Sequence, residues 1–126
     1  MIHLLYVALG GAVGASLRHL SGLALLRLAG PGFPVGTLFV NIVGSLVMGL
    51  FIGWLARRSG GSSTELRLFV TTGLLGGFTT FSAFSLDVAN LWEKGQGTLA
   101  ASYVLASVFF SIMAVFAGLA IARALV

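Results

Sequence analysis

The sequence predicts an all-α integral membrane protein with four transmembrane helices, the third broken near its centre. Three observations carry this. Of 126 residues, 58% are hydrophobic and only 8% charged, whereas a soluble domain carries roughly 25% charge. The apolar stretches are long enough for about four spans, each needing about 20 residues at 1.5 Å rise, which leaves almost nothing outside a bilayer. Finally, the segment Gly76-Gly77-Phe78-Thr79-Thr80-Phe81-Ser82-Ala83-Phe84-Ser85 puts two glycines and four hydroxyls in the middle of an otherwise lipid-soluble stretch. Hydrocarbon offers unpaired polar groups no partner, so this segment reads as a helix interrupted at membrane depth and lining something other than lipid. Residues 1–126 form one transmembrane domain on this reading.

Span one covers about residues 2–28, with Arg18 and His19 in its lower half. The opening Met-Ile-His-Leu-Leu-Tyr has no basic stretch, and Gly-rich apolar sequence continues to about Leu26, so a retained span is expected rather than a cleaved signal. Gly30-Pro31-Gly32-Phe33-Pro34 makes a short turn. Span two covers about 35–55 and is closed by Arg57 and Arg58, then by a flexible Ser59-Gly60-Gly61-Ser62-Ser63 loop. Ser63 or Thr64 can cap span three, about 65–92, with Glu65 in its first turn. Glu93-Lys94-Gly95-Gln96-Gly97 turns the chain into span four, about 98–125.

The formal charge of +4 would suggest nucleic acid on a soluble chain, but these cations flank apolar stretches and read as interfacial anchors. The absence of cysteine excludes disulfides, thiol catalysis and thiolate metal sites. Four spans put Arg57, Arg58, Arg67 and Arg123 on one side of the membrane and Arg18, Arg27 and Lys94 on the other. Four against three is close to no bias, so insertion both ways round is expected. The natural assembly is then an antiparallel, dual-topology homodimer with a two-fold axis in the membrane plane. Small residues at four-residue spacing (Gly10 and Gly14, Gly49 and Gly53, Gly73 and Gly77) let helix backbones approach closely. Packing explains most glycines; Gly76 and Gly77 are set apart as marking the break.

Phe78, Phe81 and Phe84, at i, i+3 and i+6, form a slowly turning row on one side of a helix. A ring edge is electropositive, so such a row can face a small, hard anion without a full charge that would trap it. The plain alternative is three lipid-facing or core rings. Asn41 is the only amide of span two and offers two donors to an anion or to a neighbouring helix. Thr37, four residues earlier, shares its face. On span four Tyr103, Ser107 and Ser111 recur at i, i+4 and i+8 as a hydroxyl stripe able to donate to a dehydrated anion. Hydroxyls of this kind also often bond their own helix's carbonyls. Arg18 either snorkels to the interface or draws anions to a pore mouth. His3 and His19 have no second ligand at metal spacing. Glu65, Asp87 and Glu93 are read as lying near span ends, leaving no mid-membrane carboxylate of the kind proton-coupled antiport uses.

Taken together, Gly10 to Arg18, Gly36-Thr37 through Asn41 to Gly44-Ser45, and Gly76 to Phe84 resemble the Fluc (CrcB-type) fluoride channel family over the whole chain. Two departures are visible, Ala83 where that family commonly has Thr and His19 where it commonly has Tyr. The resemblance implies an antiparallel homodimer with two fluoride pores in a bacterial cytoplasmic membrane, exporting fluoride passively and protecting the cell. It implies Phe81 and Phe84 as the pore rings, with Phe78 beside them, Asn41 contributing its amide, and Thr37, Tyr103, Ser107 and Ser111 as a polar track, with Arg18 in the vestibule. It further implies a structural sodium ion at the dimer centre, held by backbone carbonyls at about Gly76 and Thr79.

The main rival is a small multidrug-type exporter, which shares the size and weak charge bias. A scaffold whose polar residues only glue helices is a third reading. An enzyme is not expected, since no nucleophile-and-base pair or metal-ligand set stands at membrane depth. Neither a nucleic acid nor a protein other than a second copy is implied as partner.

Overall fold

Apolar sequence with few interruptions folds here into long helices, because a chain in lipid must satisfy its backbone within itself. The computed structural model describes residues 1–58 and 64–125. The loop at 59–63, including Ser63 as a possible cap, lies outside the described residues. Helix α1 (Ile2–Ala29) ends where Gly30, at φ 78°, takes a left-handed turn and donates its N–H to Leu26 O at 2.9 Å. Helix α2 (Val35–Ala56) follows Pro34, and α3 covers residues 64–78. Thr64 is the first helical residue of α3 rather than its cap. After a two-residue break, α4 (Phe81–Glu93) runs to a turn with Gly95 at φ 76°, and α5 (Gly97–Leu125) ends the described chain.

Among the described residues, three stretches are long and apolar enough to cross a membrane: Val35–Ala56, Thr64–Glu93 counted through the break, and Gly97–Leu125. The protein is a multi-pass membrane protein with a broken middle helix. Within α3, residues Leu68–Leu75 wind as a π-helix. The widened turn fits the local chemistry: Thr71 Oγ1 bonds back to Arg67 O at 2.7 Å, and the Gly76 N–H reaches the Thr71 carbonyl five residues back.

Glycines bring two pairs of helices into backbone contact, as their spacing predicts. A Cβ on Gly10 would strike the carbonyl of Phe69, and one on Gly14 the carbonyl of Leu74. A Cβ on Gly77 would meet Gly11 O at 2.7 Å, so Gly77 belongs to this α1–α3 contact and is not an exception to packing. Gly76, its neighbour, is exposed, and a Cβ there would meet only Thr71 O of its own helix, at 3.5 Å. On the other side Gly49 lies against Val115 and Gly118, and Gly53 against Leu119 and Ala122. Contacts that advance together show that α1 runs parallel to α3, and α2 parallel to α5. The core is small. Tyr103 is fully buried among Phe84, Leu91 and Ala100, with Phe33, Leu38 and Val88 packed around them.

Candidate functional site

The break is built by hydroxyls and one amide. Thr79 and Thr80 leave the helical conformation, with φ, ψ of −88°, 161° and −157°, 122°. Two extended residues in mid-span expose backbone groups that lipid cannot satisfy. Asn41 of α2 answers part of that need: its Nδ2 donates to Thr80 O at 3.0 Å, and Thr80 N–H donates to Asn41 Oδ1 at 2.8 Å. Thr80 caps α4 by accepting the Ala83 N–H at 3.1 Å, and Thr79 Oγ1 closes α3 onto Leu75 O at 2.9 Å. Ser85 donates to Phe81 O, and Ser82 meets the Thr80 hydroxyl at 3.3 Å. The four hydroxyls of the decapeptide therefore serve its own backbone and caps.

Immediately beyond the break lies a cleft of about 390 Å³, lined by Asn41, Ser45, Thr80, Phe81, Phe84, Ser107 and Ser111 among others. Among the described residues, no charged one lines it. The hydroxyls of Ser107 and Ser111 are buried without a hydrogen-bond partner, the two such side chains among the described residues. A buried unmet hydroxyl is unfavourable by itself, and groups left this way commonly serve a ligand or water. Phe81 stands 76% exposed at the rim, while Phe84 is only 8% exposed below it.

From Phe81 a file of rings runs inward. Phe81 and Phe84 have centroids 5.5 Å apart, Phe84 and Tyr103 5.1 Å, and Tyr103 and Phe33 5.3 Å edge to face. At its far end the Tyr103 hydroxyl donates to Asp87 Oδ2 at 2.9 Å, and Thr37 reaches the same phenol from α2. Thr37 and Asp87 line a second cavity of about 330 Å³, together with Phe33, Asn90 and Lys94.

The fold thus joins Asn41, Phe81, Phe84, Ser107 and Ser111 at one cleft, and sets Thr37 and Tyr103 at the inner end of the aromatic file. Phe78 does not share the row expected of it. The break intervenes, so Phe78 belongs to a different helix from Phe81 and lies against α2, where a Cβ on Gly44 would meet its ring at 3.3 Å. Arg18 is half-buried, and its Nε donates to Gly77 O at 2.9 Å instead of reaching for the interface. Asp87, read from the sequence as lying near a span end, carried no functional role there. It lies six positions inside the end of α4, not at a span end. Its i+3 spacing from Phe84 was the available signal, since that places both on one helical face.

Residues 5–119 match the family described as CrcB-like protein, Camphor Resistance (CrcB). The chain is 58% identical over 125 residues to a protein of Mesorhizobium japonicum named fluoride-specific ion channel FluC, covering 99% of each. It is 57% identical to a protein of the same name from Agrobacterium fabrum, covering 98% of each. A further relative so named, from Hyphomonas neptunium, is 56% identical over 94% of each chain.

Proposed function

The chain belongs to the CrcB-like family, and from that premise we propose that it is a fluoride-selective ion channel, giving passive fluoride export across the bacterial cytoplasmic membrane and, with it, fluoride resistance. The observation that carries this is the cleft where the exposed Phe81 ring meets two buried, unpartnered hydroxyls, Ser107 and Ser111. Fluoride is a small, strong hydrogen-bond acceptor. Hydroxyl donors and electropositive ring edges can replace its water, and a lining free of cations does not trap it. Asn41 keeps one amide hydrogen free for the path after bonding Thr80. Tyr103 and Thr37 continue the track, Phe78 flanks it, and Arg18 lends positive charge to the approach.

Helix α1 is a fourth span of the single domain. Its 28 residues reach about 42 Å, and it lies parallel to α3 at the same depth. The functional unit is an antiparallel homodimer, since the cleft is open on the side where Phe81 protrudes and an inverted second copy completes it. The break also suits a structural sodium ion. Gly76 keeps helical backbone angles, but the Thr80 N–H that would ordinarily serve its carbonyl goes to Asn41, and the extended backbone of Thr79 turns its own carbonyl from the helix; oxygen donors match a hard cation. The carbonyls of Gly76 and Thr79 would hold it, and two from each copy make a set. It would supply positive charge to offset the carbonyl dipoles there.

Purified protein in liposomes, read with a fluoride electrode, tests the function. Fluoride should leave down its own gradient while chloride is retained; no release above protein-free liposomes overturns the proposal. Asp87 lends the multidrug-type exporter more support than the sequence offered, because it is a carboxylate within a span. That alternative requires flux of an organic cation coupled to a proton gradient, which the same liposomes can report.

A further inference from the structure

We infer that Arg18 is a positioning residue that holds the end of α3 in register across the break, a role beyond attracting anions and resting on the channel reading for its meaning. Arg18 is eleven residues from the end of α1, about 16 Å of helix, too far for its side chain to reach the interface along that route. It bonds Gly77 O instead, with Nε 2.9 Å away. The one-turn spacing from Gly14 puts Arg18 on the face that touches α3. There Gly14 admits the backbone of Leu74 and Phe78, and Gly77 in turn sits against Gly11 and Ala15. Gly77 is in the last turn of α3, where carbonyls lose their helical partners and carry the negative end of the helix dipole. A cation placed on that carbonyl satisfies both.

Three residues on, Asn41 grips both backbone groups of Thr80 from α2. Phe78 and Thr79 are therefore held between two clamps from different helices. Thr79 is pressed into the space that Gly44 leaves, since a Cβ there would strike its methyl. The direction in which α4 leaves the break, and with it the placement of Phe81, follows from both clamps. With the Arg18 bond gone, the α3 side of the break keeps only its packing against α1 and α2.

The atom making the bond allows a decisive comparison. Gln places its Nε2 where Arg has Nε, so Arg18→Gln keeps the hydrogen bond and discards the charge. Arg18→Lys keeps the charge and places a methylene at that position. Arg18→Met fills it with a methyl group. Positioning predicts that Arg18→Gln keeps the hydrogen-exchange protection of the Thr79 and Thr80 amides close to the parent protein. Arg18→Met should then raise exchange at these two amides by about tenfold or more, with the α5 amides unaffected. If Arg18→Lys keeps the protection of the Thr79 and Thr80 amides and Arg18→Gln loses it, the charge matters rather than the bond and the inference fails. If Arg18→Met does not fold, the Gln and Lys variants still decide. Amide exchange needs no fluoride, so a parent protein without fluoride flux would sink the channel reading and leave this one separately testable.

Discussion

Asn41 and Thr80 exchange two hydrogen bonds across 39 positions of sequence, amide to carbonyl at 3.0 Å and backbone N–H to amide oxygen at 2.8 Å. The Asn41 side chain thus imitates a strand partner for a residue that has left its helix, which explains how an extended pair survives at membrane depth. Asn41→Asp puts a second acceptor against Thr80 O and removes the donor. The expected cost is about 2–3 kcal/mol, the penalty of an unmet buried polar group together with a lost bond. Thermal unfolding of the detergent-solubilised protein reads it, and an unchanged midpoint would contradict the clamp.

The glycines of α1 make opposite predictions. Gly14→Ala drives a Cβ into the backbone of Leu74, which cannot yield without moving α3. Destabilisation of about 1–3 kcal/mol is expected for such overpacking. Gly22→Ala meets nothing within 4 Å, so it should be neutral or stabilising by up to about 1 kcal/mol through helix propensity. Equal unfolding midpoints for the two variants would refute the close α1–α3 contact.

Phe81 and Phe84 separate conduction from stability. Phe84 is buried against Tyr103, while Phe81 projects from the break. Phe81→Ile should depress fluoride efflux with little change in the unfolding of the solubilised chain. Phe84→Ala should lower both, with a stability cost of about 3–5 kcal/mol. Undiminished efflux from Phe81→Ile, and from Phe84→Ile in the same assay, would remove the rings from the pathway.

Insertion follows from where the cations end up. With Arg18 bonded at the depth of the break, the four-span reading sets four cations (Arg57, Arg58, Arg67 and Arg123) against two (Arg27 and Lys94). The rule for orientation counts residues near span ends, so Arg18 should not contribute. Two extra cations favour one side without excluding the other, so terminal tags in cells should report both orientations in unequal amounts. Lys94→Gln should shift their ratio and Arg18→Gln should not. A single orientation in the parent protein would defeat the antiparallel assembly.

Long apolar stretches and small residues at fixed spacing made the helices and their two close contacts legible, because lipid imposes length and close approach demands glycine. The interruption at Thr79–Thr80 was legible for the same reason: Gly76-Gly77 and clustered hydroxyls have no purpose in an unbroken lipid-facing helix. The use of those hydroxyls was not legible. Thr79, Thr80 and Ser85 bond locally, as membrane hydroxyls commonly do, whereas Ser107 and Ser111 are the ones left open. Nothing in the spacing of either group separates them, since the choice depends on what lies across the helix interface. Phe78 was misjudged because a periodicity argument assumes one continuous helix, and the break resets the phase. Arg18 and Asp87 found partners 59 and 16 positions away, contacts that no local pattern encodes.

The Asp87–Tyr103 pair permits the most direct energetic test of the inner end of the aromatic file. Tyr103 is fully buried, and its hydroxyl donates to Asp87 Oδ2 at 2.9 Å. Tyr103→Phe keeps the ring contacts with Phe84 and Phe33 and deletes only the donor. Asp87→Asn keeps an acceptor oxygen but removes the charge. A hydrogen bond to a charged acceptor is worth more than a neutral one, so each single change should cost about 1–2 kcal/mol. The double variant should cost less than the sum, because the second change removes an interaction already lost. Additive unfolding free energies for the two positions would show that Asp87 draws its support from elsewhere in the second cavity, where Asn90 and Lys94 are its neighbours.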